Sequence, residues 1–199
     1  MINKVHHIFN QGNNRQKIFF QPRNYHFFLD KMREFVLPYA DFLCYSLMPN
    51  HFHFLVYVYR LQFPTPAGKM RTLNDSIGIM LRSYTRAINN QEDRTGVLFR
   101  PKTKAKYDLI EDGFITMDGP KQKYFFETEH QYAKRCFRYI HLNAVKAKLV
   151  RRAIDWPYSS AREYASLRRK RFCNCELAKE LGLTAGIGEG IDDSHQLGF

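Results

Sequence analysis

A chain of 199 residues with 44% hydrophobic and 25% charged side chains is long enough to bury a real core and too apolar for a disordered tail. Its 31 Lys and Arg against 19 Asp and Glu leave a net charge of +12, which excludes an acidic solvating protein and points to a polyanionic partner. Nucleic acid comes first, an anionic membrane surface second. Aromatic residues at 15% add flat faces on which unpaired bases can stack.

Lys4–Asn10 reads as a first strand, closed by Gln11-Gly12-Asn13-Asn14. No apolar block lies in Met1–His7, so no secretory signal is expected. A helix follows from Asn24 to Leu37, with Phe27, Phe28, Met32, Phe35 and Val36 at helical spacing and Pro38 to stop it. Phe42–Tyr59 carries no Asp, Glu, Lys or Arg, but Pro49, Asn50, His51 and His53 at its centre disqualify it as a membrane span. Two strands, Phe42–Met48 and His51–Tyr59, joined by a Pro-Asn turn fit better. In the second, His51, His53, Leu55 and Tyr57 share one face, and Phe52, Phe54, Val56 and Val58 the other.

Residues 61–71 read as a Pro/Gly loop, followed by a helix over Asn74–Asn89. A further helix starts at the capping-box pattern Thr128-Glu129-His130-Gln131 and runs to Lys146. Asp108–Phe126 reads as an inserted hairpin or loop. This order predicts an α+β domain, an antiparallel central sheet with helices packed on one side of it. Cys44, Cys136, Cys173 and Cys175 do not make a disulfide framework and are expected as free thiols in a reducing cytoplasm.

Charge divides the C-terminal part. Residues 134–171 hold 12 Lys or Arg against two acids, whereas 172–199 hold one Lys and five acids. The expected organisation is a domain over 1–150, a basic extension over 151–171 that includes Arg151 and Arg152, and a short helix with a mobile acidic tail over 172–199. In Arg100-Pro101-Lys102-Thr103-Lys104-Ala105-Lys106 the basic residues alternate, so an extended segment presents Arg100, Lys102, Lys104 and Lys106 on one face. Such a row serves phosphate contact or guards a sheet edge.

Two constellations can carry chemistry. On a strand, His51 and His53 project to the same side with Cβ atoms roughly 6–7 Å apart, close enough for both rings to reach one metal ion. On the last long helix, Tyr139, Asn143 and Lys146 share a stripe. A phenol with a free pKa of about 10 needs a metal or base before it attacks anything. The Asn143 amide oxygen can complete a ligand set, and Lys146 can neutralise a phosphate. Spacing alone fits better an amphipathic helix whose tyrosine packs on the sheet. Tyr84 reads as core and Tyr132 lacks the Asn partner. His141 points about 200° away from Tyr139.

Cys44-Tyr45-Ser46-Leu47-Met48-Pro49-Asn50-His51-Phe52-His53-Phe54-Leu55-Val56 and Arg138-Tyr139-Ile140-His141-Leu142-Asn143-Ala144-Val145-Lys146-Ala147 resemble motifs of the HUH single-tyrosine (IS200-like) transposases. The REP-associated tyrosine transposases are the most similar branch. Gln11–Arg15, Gly96–Arg100 and Asp155–Ser160 extend the resemblance, in the same order, over most of residues 4–164.

The resemblance implies a ferredoxin-like HUH fold and a metal-dependent nuclease and strand transferase acting on single-stranded DNA, often at hairpins. It implies His51 and His53 as ligands of Mg²⁺ or Mn²⁺, with Asn143 as a polar third ligand and Tyr139 as nucleophile, joined to the 5′ phosphate. Two imidazoles suit Mn²⁺ at least as well as Mg²⁺. It leaves homodimer and monomer both open. The alternative is a non-catalytic DNA-hairpin-binding protein derived from such a transposase.

Overall fold

A computed structural model describes residues 2–101, 103–106 and 129–184. The expected insertion at Asp108–Phe126, the Thr128 cap and the acidic tail beyond 184 lie outside the described residues, as does Lys102.

Strand β1 (Lys4–Gln11) leads through a 3₁₀ turn at Asn13–Arg15 to helix α1 (Pro22–Phe35). The helix begins two residues earlier than the apolar pattern suggests, because Pro22 occupies the first turn and the Asn24 side chain accepts a bond from the Gln21 N–H at 2.8 Å. Strands β2 (Ala40–Met48) and β3 (His51–Val58) form the expected hairpin. Residues 61–71, expected as a loop, instead hold a small ribbon of β4 (Gln62–Pro64) and β5 (Met70–Thr72). It runs directly into helix α2 (Leu73–Gln91), where Thr72 and Asp75 cap one another. An edge strand β6 (Lys104–Lys106), the long helix α3 (Glu129–Lys146), and short helices α4 (Ala161–Tyr164) and α5 (Cys175–Glu180) complete the described chain.

The main sheet has the order β2-β3-β1-β6 with every pair antiparallel. Helices cover both of its faces, not one as the element order suggested. The reason is that both faces of the central strands are apolar. Phe42, Phe52, Phe54, Val56 and Val58 pack with Phe28, Met32, Met80 and Tyr84 of α1 and α2. Cys44 and Leu55 pack on the other side with Ala133, Cys136, Phe137 and Ile140 of α3. Phe28 is fully buried among the rings of Phe19, Phe52, Phe54 and Tyr84. Burying each such aromatic contributes about 2–3 kcal/mol, offset by lost conformational freedom.

The β2–β3 turn is held from outside. The Pro49 carbonyl accepts from the Ile18 N–H at 2.8 Å, and the Asn50 carbonyl from the Gly12 N–H at 2.8 Å. Only glycine fits at 12, since a Cβ there would lie 2.1 Å from the Gln16 carbonyl oxygen. The free edge of β2 is covered by the segment after α3. Leu47 N–H donates to the Tyr158 carbonyl, and Ser160 N–H to that of Tyr45. Trp156, partly buried, packs against the core from this segment and donates to the Leu47 carbonyl at 3.0 Å.

One buried carboxylate pins the following segment to this layer. Glu163 is fully buried and accepts the Phe172 and Cys173 N–H groups at 2.7 and 2.8 Å, the Tyr45 hydroxyl at 3.3 Å and Arg168 at 3.2 Å. Glu163→Ala leaves the buried Phe172 and Cys173 N–H groups without their acceptor. It is expected to cost about 3 kcal/mol in urea unfolding; a loss below about 0.5 kcal/mol would contradict the assignment. The four cysteines are buried thiols. No helix among the described residues is long and apolar enough to cross a membrane.

Candidate functional site

The face of the sheet under α3 is set by register. In an antiparallel pair, directly opposed residues share a face, so His7, Phe9 and Gln11 of β1 lie on the side that carries His51, His53 and Leu55 of β3. Cys44, Ser46 and Met48 of β2 belong to the same side. Helix α3 lies across it because Ala133, Cys136, Phe137 and Ile140 recur at helical spacing and are buried there. That docking delivers Tyr139 and Asn143 to the two histidines.

The Tyr139 and His53 rings meet edge-on with centroids 5.3 Å apart and planes at 89°. The His51 and His53 rings are 5.1 Å apart at 84°. The Asn143 amide nitrogen lies 3.2 Å from His51 Nε2. The Lys146 ammonium sits 5.3 Å from the centroid of the Tyr139 ring. Five of the residues singled out in the sequence, His51, His53, Tyr139, Asn143 and Lys146, therefore meet in one place.

The remaining candidates are dispersed around it. Arg100 is exposed, and its N–H donates to the Gln11 carbonyl at the end of β1. Lys104 and Lys106 pair through their backbones with Phe9 and His7. Of the alternating basic row, the strand conformation is present over Lys104–Lys106. Arg151 and Arg152 are exposed in the turn after α3, where Arg152 forms an ion pair with Asp155 at 2.8 Å. The competing side chains fall elsewhere. Tyr84 is buried in the opposite layer with its hydroxyl on the Ile18 carbonyl, and His141 is buried against Ser160 Oγ at 2.8 Å.

Burial sets the protonation states. Desolvation pushes His51 down to about 4, partly countered by the Asn143 amide. It also holds His53 well below the usual imidazole range, with His7 and His51 adding to the effect. Both rings are thus neutral at pH 7, the state a metal ligand requires. Desolvation raises the Tyr139 phenol above 10, with Cys136 contributing, and lowers the Lys146 ammonium, with Arg138 contributing. A phenol so placed remains protonated until a cation or base intervenes.

The donor set fits a divalent cation. His51 Nδ1 lies 2.6 Å from the Asn50 amide oxygen, which only accepts, so Nδ1 carries the proton and Nε2 a lone pair. His53 Nδ1 is engaged from behind by His7 Nε2 at 2.9 Å, two ring nitrogens that share one proton. The Asn143 amide N–H faces the His51 Nε2 lone pair at 3.2 Å, and the same amide turned over would offer its oxygen to an ion shared with Nε2. Neighbouring ligands at about 2.1 Å from an octahedral ion are about 3 Å apart. Gln11, opposite His51, is buried, and its Oε1 has no hydrogen-bond partner among the described residues, which adds a further oxygen on this side. Among the described residues no group of three or more His, Cys, Asp or Glu side chains could hold a metal ion, so a cation here would rest on two imidazoles and amide oxygen.

Sequence reasoning missed His7, Asn50, Gln11 and Cys136. Asn50 adjoins His51 and was read only as a turn residue. His7 was read only as part of a strand. Its place beside His53 depends on the β1–β3 register, which no local pattern contains.

No family model matches the chain, and no curated protein matches it. Among solved structures it is similar to one described as the REP-associated tyrosine transposase bound to a REP hairpin. The two superpose with a TM-score of 0.50 over 80% of this chain and 78% of that one, at 14% sequence identity. At that identity the likeness is one of architecture: the chain has an α+β fold similar to that of a REP-associated tyrosine transposase, with an antiparallel sheet and a long helix that carries Tyr139.

Proposed function

We propose that this protein is a metal-dependent single-stranded DNA endonuclease and strand transferase that cuts hairpin-bearing DNA through a phosphotyrosine at Tyr139. The observation that carries this reading is the meeting of Tyr139 and Asn143 from α3 with His51 and His53 from β3. The likeness to a transposase described with a bound hairpin supports hairpin DNA as the partner.

His51, His53 and Asn143 would hold Mg²⁺ or Mn²⁺, which supplies Lewis-acid polarisation of the scissile phosphate. The Tyr139 oxygen forms a bond to the phosphorus while the bond to the 3′ oxygen breaks. The phenolic proton passes to solvent, and the leaving 3′ oxygen takes up a proton from solvent to become a hydroxyl. The 5′ phosphate stays on Tyr139 as a diester, so a second 3′ hydroxyl can reverse the step on another strand without ATP. Lys146 beside the tyrosine ring offsets charge on the phosphate. Arg100, Lys102, Lys104, Lys106, Arg151 and Arg152 would hold the strand through its phosphates.

The test uses purified protein, Mn²⁺ and a labelled library of single-stranded hairpins. Cleavage in Mn²⁺ that stops in EDTA is expected. His53→Ala should lower Mn²⁺ affinity at least roughly 100-fold and remove cleavage while hairpin binding persists. Cleavage undiminished in EDTA would overturn the metal role. Hairpin binding without any cleavage across the library would instead favour a non-catalytic hairpin-binding protein on the same fold.

A further inference from the structure

Behind His53 lie two buried side chains that the mechanism above does not use, His7 and Cys136, and they extend it into a chain. His7, in the middle of β1, is 4% exposed and Cys136 of α3 is fully buried. His7 Nε2 is 2.9 Å from His53 Nδ1, with the two rings stacked at 5.1 Å and 26°. His7 Nδ1 is 3.6 Å from Cys136 Sγ. Two imidazole nitrogens at 2.9 Å share one proton, so the chain has two arrangements.

In the first, His53 Nδ1–H donates to His7 Nε2 and His7 Nδ1–H donates to Cys136 Sγ. His53 then presents a bare Nε2. In the second, the Cys136 thiol donates to His7 Nδ1, His7 Nε2–H donates to His53 Nδ1, and the His53 proton sits on Nε2. That arrangement cannot bind a cation. His51 faces no such choice, because the Asn50 oxygen accepts only. The state of His53 thus depends on His7, and through it on α3.

Resting on the cation reading above, we propose that His7 is a positioning residue for the metal site, fixing His53 as the Nδ1–H tautomer with Cys136 accepting from His7. Cys136 precedes Tyr139 by three residues on the same face of α3. The docking that brings in the nucleophile therefore also supplies the acceptor that readies the ligand. An ordinary core histidine would be replaceable by any side chain of similar shape; a tautomer-fixing one is replaceable only by another acceptor.

The experiment measures Mn²⁺ affinity by electron paramagnetic resonance on the full chain without DNA, and histidine tautomers by long-range ¹H–¹⁵N NMR with Zn²⁺ bound. His7→Leu is expected to weaken Mn²⁺ binding about 10- to 100-fold. His7→Gln, whose amide oxygen can accept from His53, should stay within about threefold of the wild type. The His53 signal should show Nδ1–H with Nε2 on the ion. Equal weakening by Leu and Gln, or wild-type affinity in folded His7→Leu, would overturn the proposal. So would an Nε2–H signal for His53 with the ion bound, a readout that stands if His7→Leu fails to fold. His51→Ala separates the two levels: if it too leaves Mn²⁺ binding unchanged, the cation reading itself fails. If it abolishes binding while His7→Leu does not alter it, only the role of His7 is lost.

Discussion

Tyr139→Phe is expected to lower hairpin cleavage at least roughly 1,000-fold while leaving hairpin binding within about threefold of the wild type. The substitution removes a single oxygen. The ring that meets His53 edge-on and lies beneath Lys146 is retained, so the packing of α3 and the surface offered to DNA should hardly change. The loss therefore falls on bond formation. Tyr132→Phe is the matched control: it sits two turns earlier on the same helix, partly buried against the same cluster. It should cut at close to the wild-type rate. Wild-type cleavage by Tyr139→Phe would mean that another group attacks the phosphate.

Acid should destabilise this protein steeply between pH 6.5 and about 4. His51, His53 and His141 are buried with pKa values depressed chiefly by desolvation, His51 to about 4 and His141 to about 3. The unfolded chain takes up protons on all three as pH falls through 6.5, whereas the folded chain does not until lower pH. Their contribution is fully present above 6.5 and is lost progressively on acidification, levelling off below the folded values. Each unit of separation is worth about 1.4 kcal/mol, so the deficit at pH 4.5 is on the order of several kcal/mol. The exposed carboxylates of Asp75 and Asp155, held low by Thr72 and Arg152, begin to act only as pH falls into the ordinary carboxylate range, at the acid end of this window. Urea unfolding in EDTA at pH 7.0 and 4.5 measures the difference. Equal stabilities would show that these rings are already protonated, or exposed, in the fold.

Much of this arrangement is legible locally. The uncharged run over 42–59, broken by Pro49-Asn50, predicts the hairpin, and period-two alternation assigns His51 and His53 to one face and Phe52 and Phe54 to the other. Tyr84 has the core position that Leu81 and Ile88 suggest. What local pattern does not contain is partnership. That α3 covers the histidine face while α1 and α2 cover the phenylalanine face follows from packing, since either helix pattern suits either side. The β4–β5 ribbon escaped because a Pro/Gly-rich stretch reads as loop whether or not its flanks pair. His7, Gln11 and Cys136 join the site only through register and docking, at sequence separations of 46 for His7 with His53 and 129 for His7 with Cys136.

The most direct measurement is mass spectrometry of the protein after incubation with Mn²⁺ and a labelled single-stranded hairpin substrate, digested with nuclease and then trypsin. Trypsin cuts after Arg138 and Lys146 and so releases Tyr139–Lys146, a peptide whose single tyrosine is Tyr139. A nucleotide joined to that peptide through the phenolic oxygen, with a free 3′ hydroxyl on the released strand, is the predicted result. Cut hairpins with the nucleotide on another peptide, or on none, would contradict it.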